Sequence, residues 1–432
     1  MGIYFGTDGI RGVALKELDS RLAFNCGNSL ARIGKNVLIG KDTRISGDCI
    51  KHAFIAGFLS GGGNVADLGV TSTPCVAYLT KRLGYDYGVV ISASHNTSEY
   101  NGIKVFNSDG VKIDDDEEEK IESCFTETLY AAPLGAGKYF ERSDLISLYE
   151  DFVVCGACNL KGLKIGLDAA NGAAYIIAEK VFKRLGAKIF MTANNPNGVN
   201  INADCGATHI EHLADFVIKN KLDLGFAFDG DADRVMAVDD KGRVIDGDLI
   251  LYALAKSYIE NDGVKITRVV GTPYTNLGVQ EALKRLGVEF LSGDVGDKYV
   301  AKLMKKHSAI IGGEQSGHII LADKHTTGDG VYTAVKLCRV YSENGGFEYL
   351  FRIDRYEQAT RNVVVGDKVR VLGSQILTDK IEYERAKLGK TGRVMVRASG
   401  TESLIRIFVE CQTKGRAEKI AKRIESIVEN IE

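Results

Sequence analysis

Three related α/β domains followed by a smaller α+β domain are what this sequence predicts. Two observations carry that prediction. A strand, a helix stopped at glycine and a second strand recur three times in order, and after about residue 362 the pattern changes to strands followed by a closing helix. The length of 432 residues agrees, because one hydrophobic core does not extend over a chain of that size.

In the first copy, Val37-Leu38-Ile39-Gly40-Lys41-Asp42 reads as a strand that leaves through glycine into a loop with Arg44. A helix from about Cys49 to Ser60 follows, ended by Gly61-Gly62-Gly63, and a second strand starts near Val65. The second copy runs Leu163 to Asp168, a helix to about Leu185 stopped at Gly186, then Lys188-Ile189-Phe190. The third runs Arg268 to Thr272, a helix to about Leu286 stopped at Gly287, then Val288-Glu289-Phe290. Each copy adds one more apolar strand: Val89-Val90-Ile91, Leu224 to Phe228, and Ala309-Ile310-Ile311. The acidic run Asp114 to Glu119 reads as a solvated helix start. Val363-Val364-Val365, Gly392 to Arg397, Leu404 to Glu410 and an amphipathic helix from about Arg416 complete the chain. The domains are expected at 1–152, 153–250, 251–361 and 362–432.

Composition excludes several classes. With net charge −2, 45% hydrophobic and 26% charged residues, the chain has no general attraction to nucleic acid or an anionic membrane. No apolar run is long enough to span a bilayer and no secretory leader is visible, so a cytoplasmic location is expected. Nine scattered cysteines do not form a disulfide framework, and Cys155-Gly156-Ala157-Cys158 is expected to be a reduced structural pair. Asn96-Thr97-Ser98 matches a glycosylation sequon that a cytoplasmic protein does not use.

Function is expected in the loops at the carboxyl ends of the added strands, where α/β folds bind ligands. The first delivers Ser94, with His95 and Lys104 near in sequence, and Ser94 is the best nucleophile candidate in the chain. In the second, Asp229, Asp231 and Asp233 alternate, so an extended loop points all three the same way. Three close carboxylates call for a divalent cation, and their hard oxygens suit Mg²⁺. An EF-hand is rejected because its sixth and twelfth loop positions hold Arg234 and Asp240 instead of Gly and Glu. In the third, Glu314, Ser316 and His318 stand among glycines and can hydrogen-bond sugar hydroxyls. Gly6-Thr7-Asp8-Gly9-Ile10-Arg11-Gly12 combines flexible backbone, the Thr7 hydroxyl and the Arg11 guanidinium. Arg397, Ser399, Gly400, Thr401 and Arg406 offer amides, hydroxyls and guanidinium forks for a phosphate dianion. Neither the Walker spacing nor Gly-x-Gly-x-x-Gly is present.

Taken together and in this order, the four motifs resemble the α-D-phosphohexomutase superfamily over essentially the whole chain. Within it, Phe5 to Gly12, Cys205-Gly206-Ala207-Thr208-His209 and Gln315 are similar to the branch acting on hexosamine phosphates. The resemblance implies three α/β domains and a TATA-binding-protein-like fourth domain around a central cleft, with a possible homodimer by analogy. It implies that Ser94 is phosphorylated, that Asp229, Asp231 and Asp233 hold Mg²⁺ with that phosphate, that Glu314 and Ser316 contact sugar, and that Arg397 to Thr401 hold the distal phosphate. Three departures are visible: Thr97-Ser98 where proline is usual, Ser403 where proline is common, and Lys298 for a frequent arginine.

The expected reaction passes the phosphoryl group of phospho-Ser94 to a hexosamine or hexose monophosphate. The resulting bisphosphate turns over and returns its other phosphate to Ser94, for a net isomerisation. Lys104 and His318 are the acid/base candidates. A phosphohexomutase preferring glucose or mannose phosphates, a metal-dependent phosphatase using the same serine, and a sugar-phosphate binding protein are the alternatives.

Overall fold

A computed structural model describes residues 4–6, 8–126, 135–399 and 403–431. The chain divides into two compact units, Met1–Tyr274 with Val288–Phe347, and Thr275–Gly287 with Glu348–Glu432.

The first unit holds three sheets with one wiring. In the first, strand Asn36–Lys41 lies between two parallel neighbours, Asn64–Val70 and Tyr87–Ile91, and the latter turns back into antiparallel Tyr100–Asn107. The second repeats it, with Lys164–Asp168 between Lys188–Thr192 and Leu224–Phe228, and Val235–Asp239 returning. The third uses Arg268–Gly271 between Glu289–Ser292 and Ile311–Gly313, and Ile319–Leu321 returning. The parallel strands are apolar and buried on both faces: Val89, Val90, Ile91, Phe226, Ala227 and Phe228 are fully covered. Polar residues therefore cluster where each third strand ends and reverses. The three candidate loops occupy that same hairpin position in the three sheets.

Four local expectations change. The third strand of the third sheet starts at Ile311, two residues later than expected. Helix Asp297–His307 ends with Ser308 left-handed at φ 50°, and Ala309 N–H caps it on Met304 O. The glycine-rich stretch before Gly12 is strand as well as loop. Gly9–Val13 pairs antiparallel with Tyr100–Asn107, setting Arg11 opposite Gly102 and burying Ile10. The acidic run does start helix Asp115–Ser123, with Asp114 as its cap, but Asp115 and Glu118 also receive Lys298 Nζ at 2.7 and 2.9 Å. It is a tie between two α/β sheets as well as a solvated surface.

In the second unit, Glu357–Val364, Leu404–Cys411 and Gly392–Ala398 form an antiparallel sheet with the middle strand last in sequence. Ile405, Ile407 and Val409 face a core shared with Ile420, Ile424 and Val428 of the closing helix Arg416–Ile431. Helix Gln375–Leu388 between the first two strands is the fourth correction. Its signal is weak because Leu377 and Leu388 are buried while neighbouring Ile376 is 68% exposed. All nine cysteines are free, and Cys155 is exposed. Among the described residues no helix is long and apolar enough to cross a membrane.

Candidate active site

Ser94 follows directly from the buried strand Tyr87–Ile91 and sits in the left-handed region at φ 52°, only 1% exposed. Its N–H is bonded to Ser92 Oγ at 2.9 Å, and Ser92 Oγ donates to Asp42 at 2.6 Å. The turn aims Ser94 Oγ at Asp229, to which it donates at 2.6 Å. The nucleophile candidate of the first sheet thus meets the first carboxylate of the second.

The three carboxylates converge, with one oxygen of each within 4.8 Å of the others, but through a turn and not an extended loop: Ala232 is left-handed at φ 58° and its N–H bonds Asp229 O at 3.0 Å. Asp229 and Asp231 are fully buried and Asp233 nearly so. Burial, with Asp233 and Asp231 beside it, pushes the Asp229 carboxyl well above the usual range. Burial acts the same way on Asp233, but Lys104 and His318 overcome it and hold Asp233 well below that range. Asp231 Oδ1 is buried with no hydrogen-bond partner, and Asp233 Oδ1 makes no hydrogen bond but lies 3.6 Å from His318 Nδ1 and 3.9 Å from Arg234 Nε. Three converging buried carboxylates, with an oxygen of Asp231 left without a hydrogen bond, fit a small hard cation such as Mg²⁺, which takes oxygen ligands.

The other predicted residues of this unit fall around that cluster. Lys104 Nζ reaches Asp231 at 2.7 Å, Asp233 at 3.0 Å and Asp8 at 3.3 Å. Burial opposes its charge, but the three carboxylates hold the ammonium well above the ordinary lysine range. His318 lies between Asp233 and Asp297, with Nδ1 and Nε2 at 3.6 and 3.5 Å from their oxygens, and Gly328 N–H approaches Nε2 at 3.1 Å. Arg11 donates to Asp8. Glu314 is half-buried, which raises its carboxyl, and Ser316 is exposed. Gly317 at φ 90° lets the third loop pack on the second, where a Cβ would meet Val235 O at 2.2 Å.

In the second unit, Arg397 and Arg406 are cross-strand partners. Two neighbouring guanidiniums offer forked donors that match a phosphate dianion. Ser399 closes the strand pair through its N–H to Leu404 O at 2.9 Å, and Lys368 Nζ donates to Ser399 O at 2.9 Å. Thr7, Gly400 and Thr401 lie outside the described residues.

Models of the phosphoglucomutase/phosphomannomutase family match the chain four times: α/β/α domain I over residues 2–131, domain II over 147–242, domain III over 246–352, and the C-terminal domain over 361–427. The chain belongs to this family. The phosphoglucosamine mutase of Pelotomaculum thermopropionicum is 44% identical over the full length of both chains, and that of Clostridium beijerinckii 42% identical over 99% of each. A phosphoglucomutase/phosphomannomutase family protein from Burkholderia thailandensis superposes with TM-score 0.84 at 24% identity, covering 99% of this chain and 97% of its own. Aspergillus fumigatus N-acetylphosphoglucosamine mutase, solved with GlcNAc-6P and magnesium, superposes with TM-score 0.68 at 16% identity, covering 100% of this chain and 96% of its own. Both likenesses are of fold.

Several residues at this phosphohexomutase site escaped the sequence reading. Thr73 Oγ1 donates to Asp231 at 2.5 Å and Thr73 N–H to Asp231 O at 2.9 Å, so a helix start of the first sheet grips the second aspartate. Asp8 and Asp297 both take Lys112. Burial, with Arg234 and Arg11 beside it, pushes the His95 imidazole down to about 3, so it stays neutral among cations. The signals were slight: His95 stood beside Ser94 and Asp8 within the Gly6–Gly12 stretch, neither with a role assigned, while Thr73, Lys112 and Asp297 had none.

Gly230 is required by this packing, because a Cβ there would lie 2.5 Å from Ser94 O and 2.8 Å from Asn202 Nδ2. Gly230→Ala is expected to destabilise the protein by about 1–3 kcal/mol through overpacking, read from the midpoint of urea unfolding. A midpoint equal to the parent's would show that the serine loop and the aspartate loop are not packed this closely.

Proposed function

We propose that this phosphohexomutase interconverts glucosamine 6-phosphate and glucosamine 1-phosphate through a phosphorylated Ser94. The observation that carries the reading is Ser94 Oγ set 2.6 Å from Asp229 inside a buried three-carboxylate cluster. The amino-sugar preference is supported by relatives named phosphoglucosamine mutase that are 41–44% identical over nearly the whole chain.

In the proposed cycle Asp229, Asp231 and Asp233 would hold Mg²⁺ beside phosphorylated Ser94. When bound, the ion offsets charge on the transferring group and orients it. The chain does the rest. Lys104, kept charged by carboxylates on three sides, and Arg11 and Arg234 beside the triad supply positive field for a phosphate dianion. Lys104 and His318 are the side chains assigned to proton transfer; the carboxylates that keep Lys104 charged oppose its giving up the proton, so its larger contribution is electrostatic. Glu314 and Ser316 bind sugar hydroxyls, and Arg397, Ser399 and Arg406, with Thr7, Gly400 and Thr401, hold the non-reacting phosphate.

Phosphorus NMR of the phosphorylated protein with Mg²⁺ and glucosamine 6-phosphate, repeated with the glucose and mannose 6-phosphates, tests this. A sugar 1-phosphate signal growing fastest from glucosamine is the expected result. Faster conversion of glucose or mannose would keep the chemistry and move the substrate, and inorganic phosphate alone would replace the mutase with a phosphatase.

A further inference from the structure

We propose that Asn202, from the second α/β sheet, is a positioning residue that holds the Ser94 loop in its reactive conformation. The inference rests on the phosphoserine reading above.

A left-handed serine costs about 1–3 kcal/mol, so the surroundings must hold it there. Two donors do so. Ser94 O accepts from Arg44 Nη2 at 2.9 Å and from Asn202 Nδ2 at 2.9 Å. Asn96 O accepts from the same pair, at 2.6 and 2.8 Å. Both ends of Ser94-His95-Asn96 are therefore pinned between one guanidinium and one amide. With its carbonyl drawn inward, Ser94 is left to present Oγ to Asp229.

The two clamps differ in origin. Arg44 belongs to the first sheet, is fully buried and is locked by its bond to Asp42 at 2.9 Å. Asn202 comes from the asparagine-rich loop after strand Lys188–Thr192, is 2% exposed, and has backbone φ 56°. Its side chain has no other hydrogen bond among the described residues, and its Oδ1 is buried without a partner. The same loop docks on the first sheet through Ile45 N–H to Gly198 O at 2.9 Å. Alignment of the nucleophile is thus conditional on the second sheet being seated against the first.

Arg44→Ala is a poor test, because it strands the buried Asp42 carboxylate and threatens the fold. Asn202→Ala leaves both carbonyls bonded to Arg44, so no acceptor is orphaned. Asn202→Asp turns an acceptor oxygen toward two carbonyls. Asn197→Ala serves as control, since Asn197 Oδ1 shapes the same loop by accepting from Val199 and Asn200 N–H, both at 3.0 Å, without touching the serine loop. Hydrogen exchange of residues 92–100, kcat and KM are measured for each. Expected for Asn202→Ala are faster exchange in 92–100, kcat lower by about tenfold and KM within about twofold of the parent, with Asn202→Asp worse and Asn197→Ala unchanged. Unchanged exchange in 92–100 would overturn the inference, as would a kcat loss that Asn197→Ala reproduces. The exchange measurement holds whichever sugar phosphate the parent converts. A parent without mutase activity would count against the functional reading, and unchanged exchange against this one.

Discussion

Ser94→Ala is expected to lose sugar-phosphate interconversion by a factor on the order of 10⁴ or more. The loss follows from covalent chemistry: without Oγ there is no atom to carry the phosphoryl group between the two hydroxyls of the substrate. Stability should fall by only about 1 kcal/mol, because a single hydrogen bond to Asp229 is removed. Relief of the left-handed strain is not available to alanine, since Arg44 and Asn202 still grip its carbonyl. Steady-state rates, intact mass after incubation with sugar bisphosphate, and urea unfolding check the three parts. A variant that retains a tenth of the parent rate would end the assignment of Ser94.

The largest expected effect on stability comes from Lys104→Met. Lys104 is the ammonium that contacts both Asp231 and Asp233, and all three side chains are buried. Removing it leaves two carboxylates in a dry site, a change that costs about 3–5 kcal/mol. Added Mg²⁺ should restore part of the loss, since it supplies positive charge to the same carboxylates. The pH dependence has a defined sign. Asp233 is held below the usual carboxylate range, so its pairing stabilises the parent above that range and is lost as pH falls through the lowered value. The variant should lose this acid-side slope. Urea titrations at several pH values, with and without Mg²⁺, read both effects. A loss under about 1 kcal/mol would mean that the triad is not desolvated as the buried geometry implies.

The parts of the site that could be read from sequence are those whose chemistry is local. Alternating Asp229, Asp231 and Asp233 place their carboxylates together because a short loop has few ways to arrange them. Ser94 stands out because an apolar strand breaks abruptly into small polar residues. The repeated strand–helix–strand unit was legible for the same reason, as strand periodicity and glycine stops are properties of neighbouring residues, whereas the strand order and the antiparallel return strands came only from the structure. Where the reading failed, competing local signals were weak. Gly9–Val13 carries two glycines in five residues and shows itself as a strand only by pairing with Tyr100–Asn107. Helix Gln375–Leu388 buries too few of its apolar residues to announce itself.

By itself the sequence pointed to the repeated α/β architecture, the serine, the three aspartates and the arginines of the last domain, whose facing positions came only with the strand register. Tertiary structure alone decided what holds them in place. Thr73 meets Asp231 across 158 positions, Lys104 meets Asp231 across 127, and Asn202 meets Ser94 across 108. A threonine, a lysine and an asparagine have no distinguishing local pattern. Their roles arise only when buried donors and acceptors from distant segments must satisfy one another in the absence of water.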